Sequence, residues 1–338
     1  MRRTELDLCR ICACLMVIVI HTSAEVYHLI PLATPAFVAV SAICTAVRGS
    51  VPVFFMLSGA LLLDREATGR RPYLGKHALR LTGLFFLWSL LYALGSRLAA
   101  GSFGSAYSFF YDLAAGHYHM WFLPAMIVCY LFMPPVSCAL RGERLAPRYL
   151  LLLFFTVVLL CANMNLTPDT ALILNRLTLH LRPEYLQYLG YAVWGYYLST
   201  RRFGRRWLYI APAVFLAVTA LTTAGNVWYS IYKGGADGWL FSYFSLPSFL
   251  QASSIFCFFL ALKDRDFKAV PLVTYLSDCT LGVYLMHPLI LNLLERLGLT
   301  VDPAFPVSTL LLTTAVLAIA CFALTAAAKK IPGVRRLL

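Results

Sequence analysis

Charged residues are scarce in this sequence, and acidic residues are the scarcest of them. Only 13% of the 338 residues are charged, 60% are hydrophobic, and 15 Asp and Glu are set against 28 Lys and Arg. A soluble domain has about 25% charged residues, so this shortage excludes an ordinary soluble fold. The chain also lacks a linker, a low-complexity stretch and a convincing internal repeat. We therefore expect a single membrane domain over residues 1–338.

Long apolar runs fill most of the chain and predict an all-α membrane protein. A helix needs about 20 apolar residues to cross a hydrocarbon core of about 30 Å. We expect ten transmembrane helices, of which the fifth and sixth are short. They cover residues 8–28, 35–63, 81–99, 119–140, 149–163, 185–199, 207–224, 239–262, 272–297 and 305–328.

The distribution of basic residues predicts the orientation of these helices. With the N-terminus inside, 22 of the 28 Lys and Arg fall in the inner segments, where the positive-inside rule places them. Both termini are then cytoplasmic. The net charge of +13 is spread over all the inner loops. That spread indicates contact with the anionic head groups of a lipid bilayer and no nucleic-acid partner.

We expect no metal site among the ten cysteines. Nearly all of them lie inside apolar runs, where Cys behaves as a small hydrophobic residue. Cys9, Cys12 and Cys14 have a spacing that redox and metal motifs use, but the sequence offers no second pair and no adjacent ligand cluster.

The first apolar run contains ionisable residues at depths that lipid disfavours. An Arg or Asp there costs about 2.5–3.5 kcal/mol, so it should face a cavity or another polar group. Asp7 and Arg10 are three residues apart, His21 and Glu25 four, so each pair shares a helix face. Arg10 and His21 are three turns apart, about 16 Å along the axis. We expect one stripe of this helix to be polar from its cytoplasmic end to its outer half.

Two further polar residues are predicted to lie near the depth of His21. These are Arg48 in the second span and His287 in the ninth, placed by a rise of about 1.5 Å per residue. Histidine is a natural general base for proton abstraction from a hydroxyl, Glu25 can orient its ring, and Arg48 can stabilise an oxyanion or bind a phosphate. A transporter of protons or small polar solutes uses the same residue types. Packing histidines and a structural arginine are the plainer alternative.

Four blocks of the sequence resemble the acyltransferase-3 family of integral membrane acyltransferases. The first helix of that family has an Asp, two or three residues, an Arg and an apolar run that ends in His. The blocks are ELDLCRICACLMVIVIHTS (5–23), RGSVPVFFMLSGALLL (48–63), GHYHMWFLPAMIVCYLFMPPV (116–136) and YLSDCTLGVYLMHPLIL (275–291). They follow the order of the family and span most of the chain.

The resemblance implies a ten-helix enzyme that takes an acyl group, usually acetyl, from cytoplasmic acyl-CoA and passes it to a hydroxyl. Acyl-CoA is then a donor substrate, and no cofactor is bound permanently. By motif position, His21 corresponds to the proposed catalytic histidine and Arg10 to the arginine of the first helix. Members often have Arg-x-x-Arg at the foot of the third helix, thought to serve the coenzyme. Here that frame runs from His77 to Arg80, and Lys76 can supply the missing charge.

The resemblance also leads to a donor path and an acceptor site. We expect the phosphates of acyl-CoA on Arg10, Lys76 and Arg80, and room for its arm beside Ser58 and Gly59. The thioester would then end near His21, with the oxyanion on Arg48 or His287.

The acceptor is expected at the outer end of the fourth helix. His119 and Trp121 lie where a sugar can stack, although aromatic residues there also suit the membrane interface. The chain, which has the stretch FFMLSGALLL and no appended soluble domain, resembles the short branch of the family. That branch includes polysaccharide O-acetyltransferases of the bacterial inner membrane. A cell-surface glycan or lipid-linked sugar is therefore the expected acceptor. A membrane partner with a vestigial polar core is disfavoured by the complete set of His, Arg and Ser-Gly motifs.

Overall fold

The computed structural model describes residues 2–24, 26–63, 72–141, 183–263, 265, 267 and 269–335. These residues form helices and connections, with no β-strand among them, which confirms the predicted all-α class for this part of the chain. The α-helices are α1 (Thr4–Ser23), α2 (Pro35–Ala46), α3 (Ser50–Leu62), α4 (Pro72–Ala100), α5 (Ala106–Ala115), α6 (Phe122–Arg141), α7 (Gln187–Ser199), α8 (Trp207–Lys233), α9 (Leu246–Leu260), α10 (Val270–Arg296), α11 (Pro306–Ala328) and α12 (Pro332–Arg335).

Within the described ranges, six helical stretches are long and apolar enough to cross a membrane. They are Thr4–Ser23, Pro35–Leu62, His77–Ala100, Tyr118–Ala139, Trp207–Lys233 and Pro306–Ala328. The shorter α9 is also apolar, and α7 and α10 occupy two more of the predicted spans. The predicted span 149–163 lies outside the described residues. The chain has the helices of a multi-pass membrane protein, and the count of ten and the cytoplasmic termini stay predictions.

Several helices have ends that differ from the predicted ones. α8 continues beyond the predicted end at 224 to Lys233, where Gly234 ends it in the left-handed conformation, φ 72°, which glycine adopts without strain. α9 begins at Leu246, because the Ser245 side chain accepts a hydrogen bond from the Ser248 amide and caps the helix. The predicted connection 100–118 contains a helix of its own, α5.

The described chain forms two compact units, residues 1–57 with 197–338 and residues 58–196. In the first unit, α1 packs against α2, α9, α10 and α11. Cys14 and Ile18 of α1 are buried against Val283 of α10 and Leu317 of α11. Close van der Waals packing of this kind holds helices together in lipid, where there is no hydrophobic drive between them.

The predicted second span is not one continuous helix. A turn at residues 47–49 separates α2 from α3. At Gly49 the chain runs so close to α9 that an added Cβ would lie 2.9 Å from a backbone nitrogen of that helix. Gln251 of α9 is buried there and donates from Nε2 to the Thr45 carbonyl and to Thr219 Oγ1, both at 3.0 Å. The break is tolerated because the Thr45 carbonyl accepts from the Arg48 amide in the turn at 3.2 Å and from the buried Gln251 amide.

In the second unit, α4 packs against α5 and α6. Arg97 near the end of α4 is 7% exposed and donates to the Asp112 carboxylate of α5 at 2.7 Å. It also donates to the carbonyls of Ala93 and Phe103. This cation therefore anchors α5 to α4.

Gly59 has a packing role and not the one expected of it. A Cβ at this position would overlap the backbone of Ala192 in α7, so α3 and α7 make a close helix contact in the second unit. The space beside Gly59 is filled by another helix and offers no room for the arm of a donor substrate.

We expect Gly59→Ala to lower the thermal unfolding midpoint of the purified protein by several degrees, because overpacking costs about 1–3 kcal/mol. The matched control is Gly190→Ala in α7, where an added Cβ meets nothing within 4 Å and helix propensity improves by about 1 kcal/mol. Its midpoint should be unchanged or higher. Equal midpoints for the two variants would contradict the close contact at Gly59.

Candidate active site

The candidate site of the first unit is built on α1 and α10, which run parallel and in register. Their contacts advance in the same direction along both helices, with partners 270 residues apart in the first pair and 266 in the next two. In order from the N-terminal ends, the pairs are Asp7 with Ser277, Cys14 with Thr280, and His21 with His287. This register places residues from two distant blocks of the sequence at equal heights.

The structure brings His21 and His287 together. Their ring centroids are 4.6 Å apart and the rings are tilted by 46°. His21 is half-buried, and His287 is fully buried. The predicted common depth of the two histidines is therefore observed as a direct ring contact.

A proline determines the tautomer of His287. Pro288 has no N–H, so the Tyr284 carbonyl four residues before it lacks its helical donor. His287 Nδ1 lies 2.7 Å from that oxygen. Because a carbonyl can only accept, Nδ1 carries the hydrogen, and in the neutral ring Nε2 has the lone pair. The neutral His287 ring is thus the Nδ1–H tautomer, and its Nε2 is a hydrogen-bond acceptor.

Arg10 lies at the N-terminal end of the same α1 face. Its Nη1 donates to Ser277 Oγ at 3.2 Å and lies 3.6 Å from Asp7 Oδ1. The predicted pairing of Asp7 and Arg10 one turn apart is confirmed, and a serine from α10 joins it.

The expected polar stripe on α1 is polar only at its two ends. Arg10 and His21 share a face, since eleven residues complete three turns. Between them the face presents Ala13, Cys14 and Val17, of which the first two are buried. The prediction of a continuous polar stripe was wrong, because the positions that face neighbouring helices are filled by small apolar residues.

Arg48 lies at the break between α2 and α3. Its guanidinium carbon is 4.3 Å from the centroid of the Phe241 ring, which is a cation–π geometry. The Tyr243 hydroxyl also interacts with this guanidinium. Its Nε is buried and has no hydrogen-bond acceptor within the described part of the chain. Arg48 is therefore a cation in the turn between α2 and α3, and its Nε–H is an available hydrogen-bond donor.

In the second unit, His119 belongs to a cluster of polar aromatic rings. It is 2% exposed, and its Nδ1 lies 2.8 Å from His117 Nδ1. The His117 ring stacks on Tyr92 at 4.2 Å. Burial lowers the pKa of His117 to about 4, so this ring is neutral at pH 7. One Nδ1 then donates and the other accepts, which makes the pair a built hydrogen-bonded unit.

Trp121 stands beside two tyrosines of the same unit. Its ring centroid is 6.3 Å from Tyr185 and 5.7 Å from Tyr188, with interplanar angles of 27° and 34°. Aromatic faces arranged in this way suit the C–H faces of a sugar as well as a membrane interface.

For the other predicted site residues the structure gives at most their exposure. Ser58 is half-buried near the start of the second unit and Arg80 is exposed on α4. Glu25 and the side chain of Lys76 lie outside the described residues. The donor-binding roles of Ser58, Lys76 and Arg80 stay predictions.

Sequence reasoning missed Ser277, Tyr284 and His117 as parts of these clusters. Ser277 has no signal of its own in the sequence. It joins the polar contacts of Asp7 and Arg10 only when α1 packs against α10. The role of Tyr284 was readable, because a His-Pro pair in a helix frees the carbonyl four residues before the proline.

One comparison with known proteins identifies a family. The model of the acyltransferase-3 family, described as an acyltransferase domain, matches residues 3–327. No curated protein and no solved structure matches the chain. The family match includes α1 with His21, the break at Arg48, the aromatic cluster at His119 and α10 with His287. Because it covers nearly the whole sequence, the chain belongs to the acyltransferase-3 family and is a membrane acyltransferase.

Proposed function

We propose that this protein is an O-acyltransferase, most simply an O-acetyltransferase, that moves an acyl group from cytoplasmic acyl-CoA to a hydroxyl of a cell-surface glycan or lipid-linked sugar. The observation that carries the proposal is the His21–His287 ring pair, 4.6 Å apart, on the same α1 face as Arg10. In this proposal the general base lies about 16 Å along α1 from a cation that can bind phosphate.

The donor is proposed to bind through its phosphates to basic residues. Arg10 is the candidate of the first unit, and Lys76 and Arg80 are proposed separately from the sequence, because guanidinium and ammonium groups form charge-assisted hydrogen bonds with phosphate oxygens. Three turns of helix separate Arg10 from His21, a span on the scale of an extended pantetheine arm. Ser58 keeps its proposed place along the donor path.

His21 is the proposed general base. It takes the proton of the acceptor hydroxyl while that oxygen attacks the thioester carbonyl, and a tetrahedral oxyanion forms. The intermediate collapses when the carbon–sulfur bond breaks. The protonated His21 returns its proton to the departing sulfur, which leaves as the free thiol of CoA, and the new ester remains on the acceptor. Glu25, one turn further along the chain, is proposed to orient the His21 ring.

Arg48 and His287 divide the remaining roles. A neutral His287 already donates its single N–H to the Tyr284 carbonyl, so only its imidazolium form can donate to an oxyanion. We therefore assign the oxyanion to Arg48, whose buried Nε keeps a donor available. His287 contributes an acceptor nitrogen that can bind the acceptor hydroxyl.

His119 and Trp121 are the proposed acceptor-binding residues. The His117–His119 unit offers hydrogen-bonding nitrogens, and the rings beside Trp121 offer flat apolar faces. A sugar presents both kinds of surface. A glycan built at the membrane then fits the family, and we propose the bacterial inner membrane as the location of the enzyme.

Label transfer separates this proposal from a transporter with the same polar residues. Purified protein incubated with radiolabelled acetyl-CoA and candidate glycan acceptors should yield labelled acceptor with an alkali-labile ester bond. A transporter leaves all the label on CoA or as free acetate. The readout is chromatography of the acceptor before and after mild alkali, and label that never reaches an acceptor in a panel of surface glycans would sink the enzyme proposal.

His21→Ala should abolish acetylation of the surface glycan at normal membrane levels of the protein. Removing a general base costs about 10²–10⁴-fold in rate. The matched control is His28→Ala, an exposed histidine near the same end of α1, which should retain acetylation. The measurement is mass analysis of glycans from cells that express each variant. Unchanged acetylation in His21→Ala would remove this ring from the chemistry.

Arg80→Ala should raise the KM for acyl-CoA about tenfold with little change in kcat, because one charge-assisted contact to phosphate is worth about 1.4 kcal/mol or more. The control is Arg205→Ala, which removes another exposed arginine outside the proposed donor site. Steady-state kinetics over a range of acyl-CoA concentrations give both constants. An unaltered KM in Arg80→Ala would take Arg80 out of the donor site.

A further inference from the structure

A cluster of charges joins the N-terminal ends of α1 and α10 around a buried carboxylate. Asp7 is 4% exposed. Its Oδ2 accepts from Arg2 Nε at 2.6 Å, and its Oδ1 accepts from Arg2 Nη2 at 3.2 Å and from Ser277 Oγ at 2.6 Å. Asp278 joins the cluster through Arg2 Nη2 at 2.7 Å.

The two arginines of this cluster are used differently. Arg2 engages both edges of its guanidinium: Nε and Nη2 contact Asp7, and Nη1 and Nη2 contact Asp278. Arg10 engages Nη1 alone, with Ser277 and Asp7. Its Nε and Nη2, which form one edge of the planar group, make no hydrogen bond with any residue that the structure describes. Its side chain remains 27% accessible.

The charges of the cluster do not cancel. Arg2, Arg10 and Lys329, whose Nζ donates to the Asp278 carbonyl at 2.8 Å, bring three positive charges. Asp7 and Asp278 bring two negative ones. The cluster therefore has a net charge of +1, and the open edge of Arg10 adds two unused donors to this positive region.

Ser277 links the buried carboxylate to this arginine. Its hydroxyl donates to Asp7 and accepts from Arg10 Nη1, and Ser277 is itself 2% exposed. A hydroxyl whose proton is committed to a carboxylate can only accept from a second partner. The guanidinium is therefore fixed by one corner, while its Nε–Nη2 edge has the spacing that a phosphate binds with two parallel hydrogen bonds.

We propose that Asp7 and Ser277 are positioning residues that hold Arg10 so that its Nε and Nη2 present a two-donor edge to a phosphate of acyl-CoA. The proposal rests on the proposed function, since Arg10 must first be a donor-binding residue. Arg2 and Asp278 secure the two helices to each other and leave Arg10 untouched.

The test measures binding of coenzyme A to the purified full-length chain by calorimetry, with pantetheine as a second probe that lacks the phosphates. Ser277→Ala is the lead variant, because it removes one neutral hydroxyl and leaves every charge in place. We expect it to weaken coenzyme A binding about tenfold, to leave pantetheine binding within twofold, and to raise the KM for acyl-CoA without changing kcat at saturation. Ser277→Thr, which keeps the hydroxyl, should restore binding.

Two further variants separate positioning from general stability. Asp278→Asn breaks one edge of Arg2 and should leave the affinity for coenzyme A within twofold of the unmodified chain, with the thermal midpoint of every variant measured alongside. Arg10→Gln should weaken coenzyme A binding, and adding Ser277→Ala to it should have no further effect, because the serine acts through the arginine.

The outcomes are distinguishable. Coenzyme A binding that is normal in Ser277→Ala but weak in Arg10→Gln overturns the positioning role and leaves the donor site intact. Equal weakening of coenzyme A and pantetheine by Ser277→Ala, or additive losses in the double variant, likewise overturn it. Normal binding in Arg10→Gln overturns both the inference and the donor-binding role of Arg10.

Discussion

The register between α1 and α10 is the constraint on which the candidate chemistry depends. Successive residues of a helix point about 100° apart, so a slip of one residue would turn His287 away from His21. This register is maintained jointly by the polar contacts of Asp7 with Ser277 and Arg2 with Asp278 at the N-terminal ends and by the apolar packing between the two helices. Asp7 is 4% exposed, so a slipped arrangement would leave this buried carboxylate without the hydrogen bonds that offset its desolvation. The two histidines meet because the charges far from them are paired.

Two buried side chains of this protein donate hydrogen bonds to backbone carbonyls at places where a helix is interrupted. Pro288 leaves the Tyr284 carbonyl open and His287 donates to it. In the turn after α2 the Thr45 carbonyl accepts from the Arg48 amide, and Gln251 adds a second hydrogen bond. In each case a defect in a helix becomes the partner that a buried side chain needs. The result is a histidine with a defined tautomer in α10 and a turn between two helices at Arg48.

Much of the fold and part of the site could be predicted from the sequence. The helical class and the pairing of Asp7 with Arg10 depend on helix geometry alone, and the common depth of His21 and His287 follows from their positions within two apolar spans, all of which periodicity and residue counting describe. The continuous polar stripe on α1 and the open space at Gly59 were predicted wrongly, and the turn at residues 47–49 within the second span was not predicted. Each of these three depends on which other helix packs there. Cys14 packs against Val283 and Leu317. Gly49 packs against the backbone of α9, and Gly59 against the backbone of Ala192.

What the sequence determined by itself was the set of helices, their apolar character and the family, because hydropathy, proline and motif order act within short segments of chain. What only the tertiary structure decided was which polar groups meet. Ser277 contacts Asp7 across 270 residues, and Arg2 occupies the carboxylates that Arg10 would otherwise use. No local pattern encodes that choice, because it arises from competition among several donors for the buried Asp7 carboxylate and the exposed Asp278 carboxylate once the helices are packed.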